Sequence, residues 1–384
     1  MGTSNRLLDY YLPPQEGFAL ESLVATTYQV DFEFLEEELL AASLGVRAPT
    51  SRMRAFRSEL ERRLQRADVT VLYDLAGCER LARLSPRIDP VPVAPRKLHG
   101  KVTVQMWTRP ETDRTLPPSR RLRLVVGSAN LTRKGFRENY ECVTALDFGG
   151  RSSASPPPLL AALAFLRELS AESESEQLRR QLRQFEAEAA KLVPRERQGD
   201  EPLRFVRGEE VVGALREAWQ AVSSKAPRTV QIISPFWPEG DQAGEWLARL
   251  VSGFGLPESV ELVCRGAPDP VGRAWFPEFD GAAAKDLRVR LGCRLALRAA
   301  RPDFGTEPDS SSDEGDETED QELVRKIGPP AAPAGAQRAL HAKMIVLTGP
   351  EGTVLTGRLG SCTCWGRGAP CSATSSLSPE SRSR

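Results

Sequence analysis

The chain has 384 residues, 40% of them hydrophobic, with 52 basic and 52 acidic side chains. That is enough apolar material for the cores of two domains or two halves, which excludes a disordered chain, and no apolar run approaches the roughly 20 residues that cross a bilayer. The zero net charge hides an uneven distribution: residues 303–322 hold ten acids and no base, so the remainder carries 52 basic and 42 acidic side chains, a net +10.

Along the chain, residues 23–30 read as a strand, followed by an amphipathic helix over 32–44 that stops near Gly45 and a second helix over 51–66. Strands are expected at 69–75, 101–107, 122–127 and 140–148. A Ser/Pro stretch at 152–158 leads into a Leu/Ala/Glu/Arg-rich region, 159–192, whose composition favours helices. A strand with its turn over 229–237, a helix over 242–251 and a strand at 260–264 then repeat the opening pattern of strand, helix, strand. The expected organisation is a first half (1–151), a helical connector (152–203), a second half (204–357) with a disordered acidic loop at 303–336, and an irregular tail (358–384). The first residues, MGTSNRLLDYYLPP, contain no secretory apolar stretch, and Arg6 stands where a myristoylation signal needs Ser or Thr. Seven scattered cysteines form no paired framework, so a reduced, cytoplasmic protein is expected.

The chain has only two histidines. His99 lies in Leu-His-Gly-Lys-Val-Thr-Val and His341 in Leu-His-Ala-Lys-Met-Ile-Val, so both precede a lysine by two positions although only eight residues are Lys. On a strand, positions i and i+2 share a face, so each segment would present an imidazole beside an ammonium. An imidazole can act as nucleophile or proton carrier near neutral pH, and an ammonium can hold a non-bridging phosphate oxygen. Two such strands meeting at an interface would surround one phosphate with two His and two Lys. After the apolar run 122–126 comes Gly127-Ser128-Ala129-Asn130-Leu131-Thr132, whose Ser128 and Asn130 offer short hydrogen-bonding groups at a turn.

In His99-x-Lys101, Gly127-Ser128-x-Asn130 and His341-x-Lys343 the chain resembles the phospholipase D superfamily of phosphodiesterases, most of all its bacterial nuclease-like and helicase-associated members, with likeness to tyrosyl-DNA phosphodiesterase. The run Gly-Ser-Ala-Asn-Leu-Thr-Arg-x-Gly, with Glu141 eleven residues after Asn130, carries the resemblance further. The resemblance implies an α/β fold of two similar halves about a pseudo-twofold axis, with the active site in the groove between them. It implies metal-independent transfer through a phosphohistidine with no cofactor. His99 would be the nucleophile and His341 the general acid/base. Lys101, Lys343 and Asn130 would hold phosphate oxygens, with Ser128 close by and Glu141 orienting a histidine. The Asp of the longer His-Lys-Asp motif is not recognisable around Gln105 and Met106, which weighs against the lipid-processing branches.

The second motif breaks off. No Asn follows Asn139, and beyond Gly357 the chain turns rich in Ser, Arg, Gly and Cys. Three readings stay open: a degenerate terminus, a shifted reading frame, or metal binding through Cys362, Cys364 and Cys371, which lack a fourth ligand nearby. The first two leave the second half-site short of a phosphate ligand and a closing strand, so reduced or lost activity is expected. The +10 body, with 44 Arg among its basic residues, points to nucleic acid, DNA or RNA, as partner, and DNA is the partner expected. A helicase or another defence or repair protein is a further expected partner, and no membrane is expected. A phospholipid hydrolase or transferase and a non-catalytic nucleic-acid binder are the rival classes. Two subsidiary expectations are a base-stacking or packing role for Trp237 and occupation of the basic groove by the acidic loop as a nucleic-acid mimic.

Overall fold

The computed structural model describes residues 7–46, 53–78, 85–93, 98–109, 119–149, 154–192, 205, 210–235, 237, 241–255, 257–268, 275–277, 279, 281–300, 339–340, 343–349, 354–359 and 375–380. His341, the acidic stretch 303–336 and the three cysteines of the tail lie outside them.

Strand β1 (Ala19–Thr27) opens the first half. Helix α1 (Phe32–Phe34) begins where Asp31 accepts a hydrogen bond from the amide of Phe34 at 3.1 Å, satisfying one of the free donors at the helix start. It runs through a π-helical stretch (Leu35–Leu40) into α2 (Ala41–Ser43) and ends at Gly45, whose φ of 65° is the left-handed conformation a helix stop favours. Then come α3 (Met53–Leu64), β2 (Asp68–Asp74), β3 (Ile88–Val93), β4 (Val102–Arg109), β5 (Ser119–Gly127), α4 (Arg133–Arg137), β6 (Asn139–Tyr140) and β7 (Val143–Phe148). The sheet order is β3-β2-β1-β4-β5-β7, parallel across β3, β2 and β1 and antiparallel beyond. Alternate residues feed two cores. Leu23 and Ala25 join Phe34, Leu39 and Leu60 of the helices on one face, while Val24, Val104 and Leu124 pack on the other.

That second face is covered by α5 (Pro157–Ala171) and α6 (Glu176–Ala189). Leu159, Leu163, Phe165, Leu166, Leu178, Leu182 and Phe185 are all buried in the same cluster as the strands. The sequence suggested a connector at 152–203. Its two helices instead form the third layer of the first half, because their apolar stripes face the sheet.

The second half contains α7 (Glu210–Val222), β8 (Thr229–Ile233), α8 (Asp241–Ser252), β9 (Ser259–Pro268), β10 (Trp275–Pro277), α9 (Gly281–Leu291), β11 (Arg294–Ala300), β12 (Ala339–Leu340), β13 (Met344–Thr348), β14 (Val354–Leu359) and β15 (Ser375–Glu380). Its main sheet runs β11-β9-β8-β13-β14-β15, with β10 also on β9. The directions repeat those of the first sheet: β11, β9 and β8 are parallel, and β8, β13, β14 and β15 are antiparallel in turn. The two halves therefore correspond strand for strand. Helices α7, α8 and α9 pack on one face through Leu215, Trp219, Leu247, Leu250 and Leu287.

The structure corrects several sequence expectations. The tail is not irregular throughout, since β15 pairs with β14 from Val354↔Glu380 to Leu359↔Ser375 and supplies the closing strand. The single strand expected at 140–148 is broken at Glu141–Cys142. Strand β3 carries Pro90 and Pro92, which a sheet tolerates here because β3 is an edge and, among the described residues, pairs only with β2. Among the described residues, no helix is long and apolar enough to cross a membrane.

Candidate active site

The first His-x-Lys segment is an extended lead-in to β4 rather than part of it, since pairing of β4 with β1 reaches only Thr103. Backbone and side-chain partners hold it where the ladder does not. The Leu98 amide donates to Asp74 Oδ2 at 2.7 Å. Thr26 Oγ1 donates to the Gly100 carbonyl at 2.8 Å and accepts from the Val102 amide at 2.9 Å. The Gly127 amide donates to the Lys101 carbonyl at 3.1 Å. Gly100 also lets α5 approach, because a Cβ there would lie 3.2 Å from Phe165 Cζ.

These bonds keep His99 and Lys101 on one side even though the residues are outside the strand. Lys101 Nζ lies 3.1 Å from His99 Nδ1 and donates to the His99 carbonyl at 2.7 Å. A charged lysine has only hydrogens to offer, so beside a Lys101 ammonium Nδ1 is the acceptor and the ring proton belongs on Nε2. His99 and Lys101 are both buried. Burying an ammonium is costly unless it is well partnered, so such a lysine points to a function.

Asn130 and Ser128 reach the same end of the sheet on the turn after β5. The Asn130 carboxamide is oriented by Gln29: Asn130 Oδ1 accepts from the Gln29 amide at 3.4 Å, and Asn130 Nδ2 faces Gln29 Oε1 at 3.5 Å. Thr27 Oγ1 stands 3.4 Å from the same Oδ1 and accepts from the Leu131 amide at 3.1 Å. Helix α4 closes over the turn. Thr132 caps it by accepting from the Gly135 amide at 3.0 Å, and a Cβ on Gly135 would come within 2.6 Å of the Asn130 carbonyl oxygen. That contact is the physical reason for a glycine five residues after the asparagine.

Ser128 is fully buried and donates to the Glu141 carboxylate, whose other oxygen accepts from Asn139 Nδ2 at 3.2 Å. Strand β6, immediately before Glu141, pairs in parallel with β12, immediately before His341: Ala339↔Asn139 and Leu340↔Tyr140. This small sheet joins the two halves through Asn139 and Tyr140 of the first and Ala339 and Leu340 of the second. Lys343, two residues beyond His341, is 2% exposed, while His341 itself lies outside the described residues.

Sequence reasoning missed Thr26, Thr27, Tyr28, Gln29 and Asp74. The available signal was topological, since β1 and β2 are parallel and ligand sites gather beyond the C-terminal ends of parallel strands. Tyr28 packs its ring against the His99 imidazole, with centroids 5.1 Å apart and planes at 31°. Lys101, Tyr11, Thr26, Thr103 and Gly127 share the wall of a cavity of about 20 Å³, room for one water. Burial pushes the Tyr11 hydroxyl up to about 12, so it stays neutral, 3.2 Å from Thr103 Oγ1. Trp237 is a packing residue: it donates to the Ser234 carbonyl at 2.9 Å and meets Phe279 edge-on at 5.4 Å. Among the described residues, no group of three or more His, Cys, Asp and Glu side chains is gathered as a metal ion would need.

No protein-family model and no curated protein matches the chain. Among solved structures, two variants of yeast tyrosyl-DNA phosphodiesterase match with TM-scores of 0.50 at 9% identity, over 94% of this chain and 82% and 83% of theirs. Phosphatidylserine synthase of Haemophilus influenzae matches at a TM-score of 0.42 and 10% identity, over 96% of this chain and 78% of that one. Polyphosphate kinase from Porphyromonas gingivalis matches at a TM-score of 0.42 and 12% identity; the chain, 96% covered, spans only 44% of the kinase. At 9% identity the likeness to the two yeast tyrosyl-DNA phosphodiesterase variants is one of fold alone.

Proposed function

We propose that the chain is a metal-independent phosphodiesterase of the phospholipase D type, acting on nucleic acid through a phosphohistidine. The observation that carries this reading is the β6–β12 pairing, which brings the residue before His341 beside the residue before Glu141, while Glu141 is bonded to Ser128 on the turn that bears Asn130. Two His-x-Lys segments and one carboxamide are then available to a single phosphate.

In the first step a lone pair of His99 attacks phosphorus, a P–N bond forms, and the P–O bond to the leaving group breaks. His341 delivers a proton to the departing oxygen. It then takes one from water, the resulting hydroxide attacks phosphorus, and the P–N bond breaks. The substrate-free arrangement needs one adjustment. Attack by Nε2 requires that its proton pass to water and that Nδ1 take one up from water, which becomes possible when Lys101 turns from Nδ1 to a non-bridging phosphate oxygen. Lys101, Lys343 and the Asn130 carboxamide offset charge on the phosphoryl oxygens as it develops.

The second half has no Asn in the place Asn130 holds in the first, so turnover is expected to be slow rather than absent. Nucleic acid is favoured as substrate because the chain outside 303–322 carries a net +10, dominated by Arg. The test uses the purified full chain and its His99→Ala variant on bis-(p-nitrophenyl) phosphate, single-stranded and duplex DNA, RNA and phosphatidylcholine vesicles. His99-dependent cleavage of a nucleic acid is expected. Salt-sensitive DNA binding with no His99-dependent cleavage of any substrate would favour the non-catalytic reading, and cleavage of the vesicle lipid alone would favour a phospholipase.

A further inference from the structure

We infer that Tyr28 is a positioning residue for the His99 imidazole, held in place by a turn built for that purpose. The inference rests on the reading of His99 as the attacking group. Three observations carry it.

The first is the ring contact itself, 5.1 Å between centroids with the planes at 31°. An imidazole held through Nδ1 can still swing about that bond. A flat ring against its face restricts the swing and sets the direction in which Nε2 points. The second is the way the turn after β1 is tied down. Thr27 Oγ1 donates to the Gln29 carbonyl at 2.6 Å, bridging over Tyr28, and accepts from the Leu131 amide. Val30 forms an isolated parallel bridge with Leu131, and the Asp31 amide donates to the Leu131 carbonyl at 2.9 Å. The turn is thereby attached to the same loop that carries Asn130, so ring and carboxamide are set in one frame. The third is Gly77, just after β2. A Cβ there would lie 2.1 Å from the Tyr28 carbonyl oxygen, a separation no side chain permits. Glycine at 77 is what allows the Tyr28 backbone to sit where its ring meets His99.

An attacking nitrogen needs the phosphorus on its lone-pair axis, and small misalignments are costly to rate without altering affinity. Tyr28 should therefore appear in kcat rather than in KM. Two histidines make the imidazole resonances simple to assign, because the His99→Gln variant removes one set.

The experiment compares the full chain with its Tyr28→Phe, Tyr28→Leu and Gly77→Ala variants. Steady-state turnover of bis-(p-nitrophenyl) phosphate and imidazole proton spectra are recorded for each. Tyr28→Phe should keep kcat within about twofold and the His99 ring signals in place. Tyr28→Leu should lower kcat about tenfold or more at a KM within about twofold and move the His99 signals. Gly77→Ala, which keeps the ring but shifts its backbone, should also move those signals. A raised KM with kcat intact would make Tyr28 a substrate contact and overturn the inference. Unmoved His99 signals in both Tyr28→Leu and Gly77→Ala would overturn it as well. Absence of turnover in the parent chain counts against the phosphodiesterase reading alone, because the spectra still report whether Tyr28 sets the ring.

Discussion

Ser128 donates its hydroxyl to the carboxylate of Glu141, and the same oxygen accepts from the Cys142 amide at 3.0 Å. One fully buried side chain thus secures both the carboxylate beside the second half and the break in the strand that displays it. Ser128→Ala would leave the Cys142 amide without this acceptor and Glu141 without this donor. The expected loss is about 1–3 kcal/mol of stability, seen as a lower urea midpoint at an unchanged slope. A midpoint equal to that of the parent would show that the serine is dispensable to this network.

Gly135 lies under similar constraint for a different reason. Its missing Cβ makes room for the Asn130 backbone, whose oxygen and nitrogen would be 2.6 and 3.2 Å from it. Gly135→Ala should displace Asn130 and lower kcat/KM about tenfold or more, with a stability loss of about 1–3 kcal/mol from overpacking. Kinetics and urea unfolding on one preparation would check both. Full activity would mean that the α4 turn yields without moving the carboxamide.

Gly213 provides the opposite case. It lies inside α7, and a Cβ there meets nothing within 4 Å. Gly213→Ala should raise stability by about 0.5–1 kcal/mol, the ordinary gain from replacing glycine within a helix. A thermal midpoint below the parent's would argue against that helix as described.

Lys343 is 2% exposed, and a buried ammonium is expensive to desolvate. Lys343→Met is expected to lower kcat/KM about 100-fold, the scale of losing one preorganised charge at the phosphate. Lys343→Arg should not restore activity, because a planar fork does not fill the place of a compact ammonium. Restored turnover in the arginine variant would refute a point-charge role.

Cys264 is buried in the second core, and burial pushes its thiol up to about 12. A raised thiol value means less of the reactive thiolate at any given pH. Iodoacetamide should therefore leave Cys264 unmodified in the folded chain and label it after denaturation, as peptide mass spectrometry would show. Labelling under native conditions would indicate opening of the β8–β9 region.

The sequence carried the α/β order, the repeat of strand, helix and strand, and the pairing of each histidine with a lysine. It did so because periodicity and spacing are local signals. What it did not carry depends on topology. Thr26, Tyr28 and Asp74 look like ordinary strand ends until β1 and β2 prove to be parallel to each other, with their C-terminal ends beside the segment that leads into β4. The helices at 159–192 read as a connector because composition says nothing about which surface an apolar stripe will cover. Pro90 and Pro92 obscured β3, and only its edge position makes them acceptable. For the tail, composition misled, since Ser375–Glu380 has no apolar alternation and owes its strand to β14.

The correspondence of the two sheets extends to the segments that join their last strands. Residues 128–142 link β5 to β7, and residues 360–374 link β14 to β15, fifteen in each case. The flanking registers agree too, with Gly127 opposite Val143 and Leu359 opposite Ser375. The second half has kept the socket and changed the insert. The strands that frame the two inserts correspond while the inserts differ in sequence, so a transplant of 128–142 into the later position would alter the insert without altering its length.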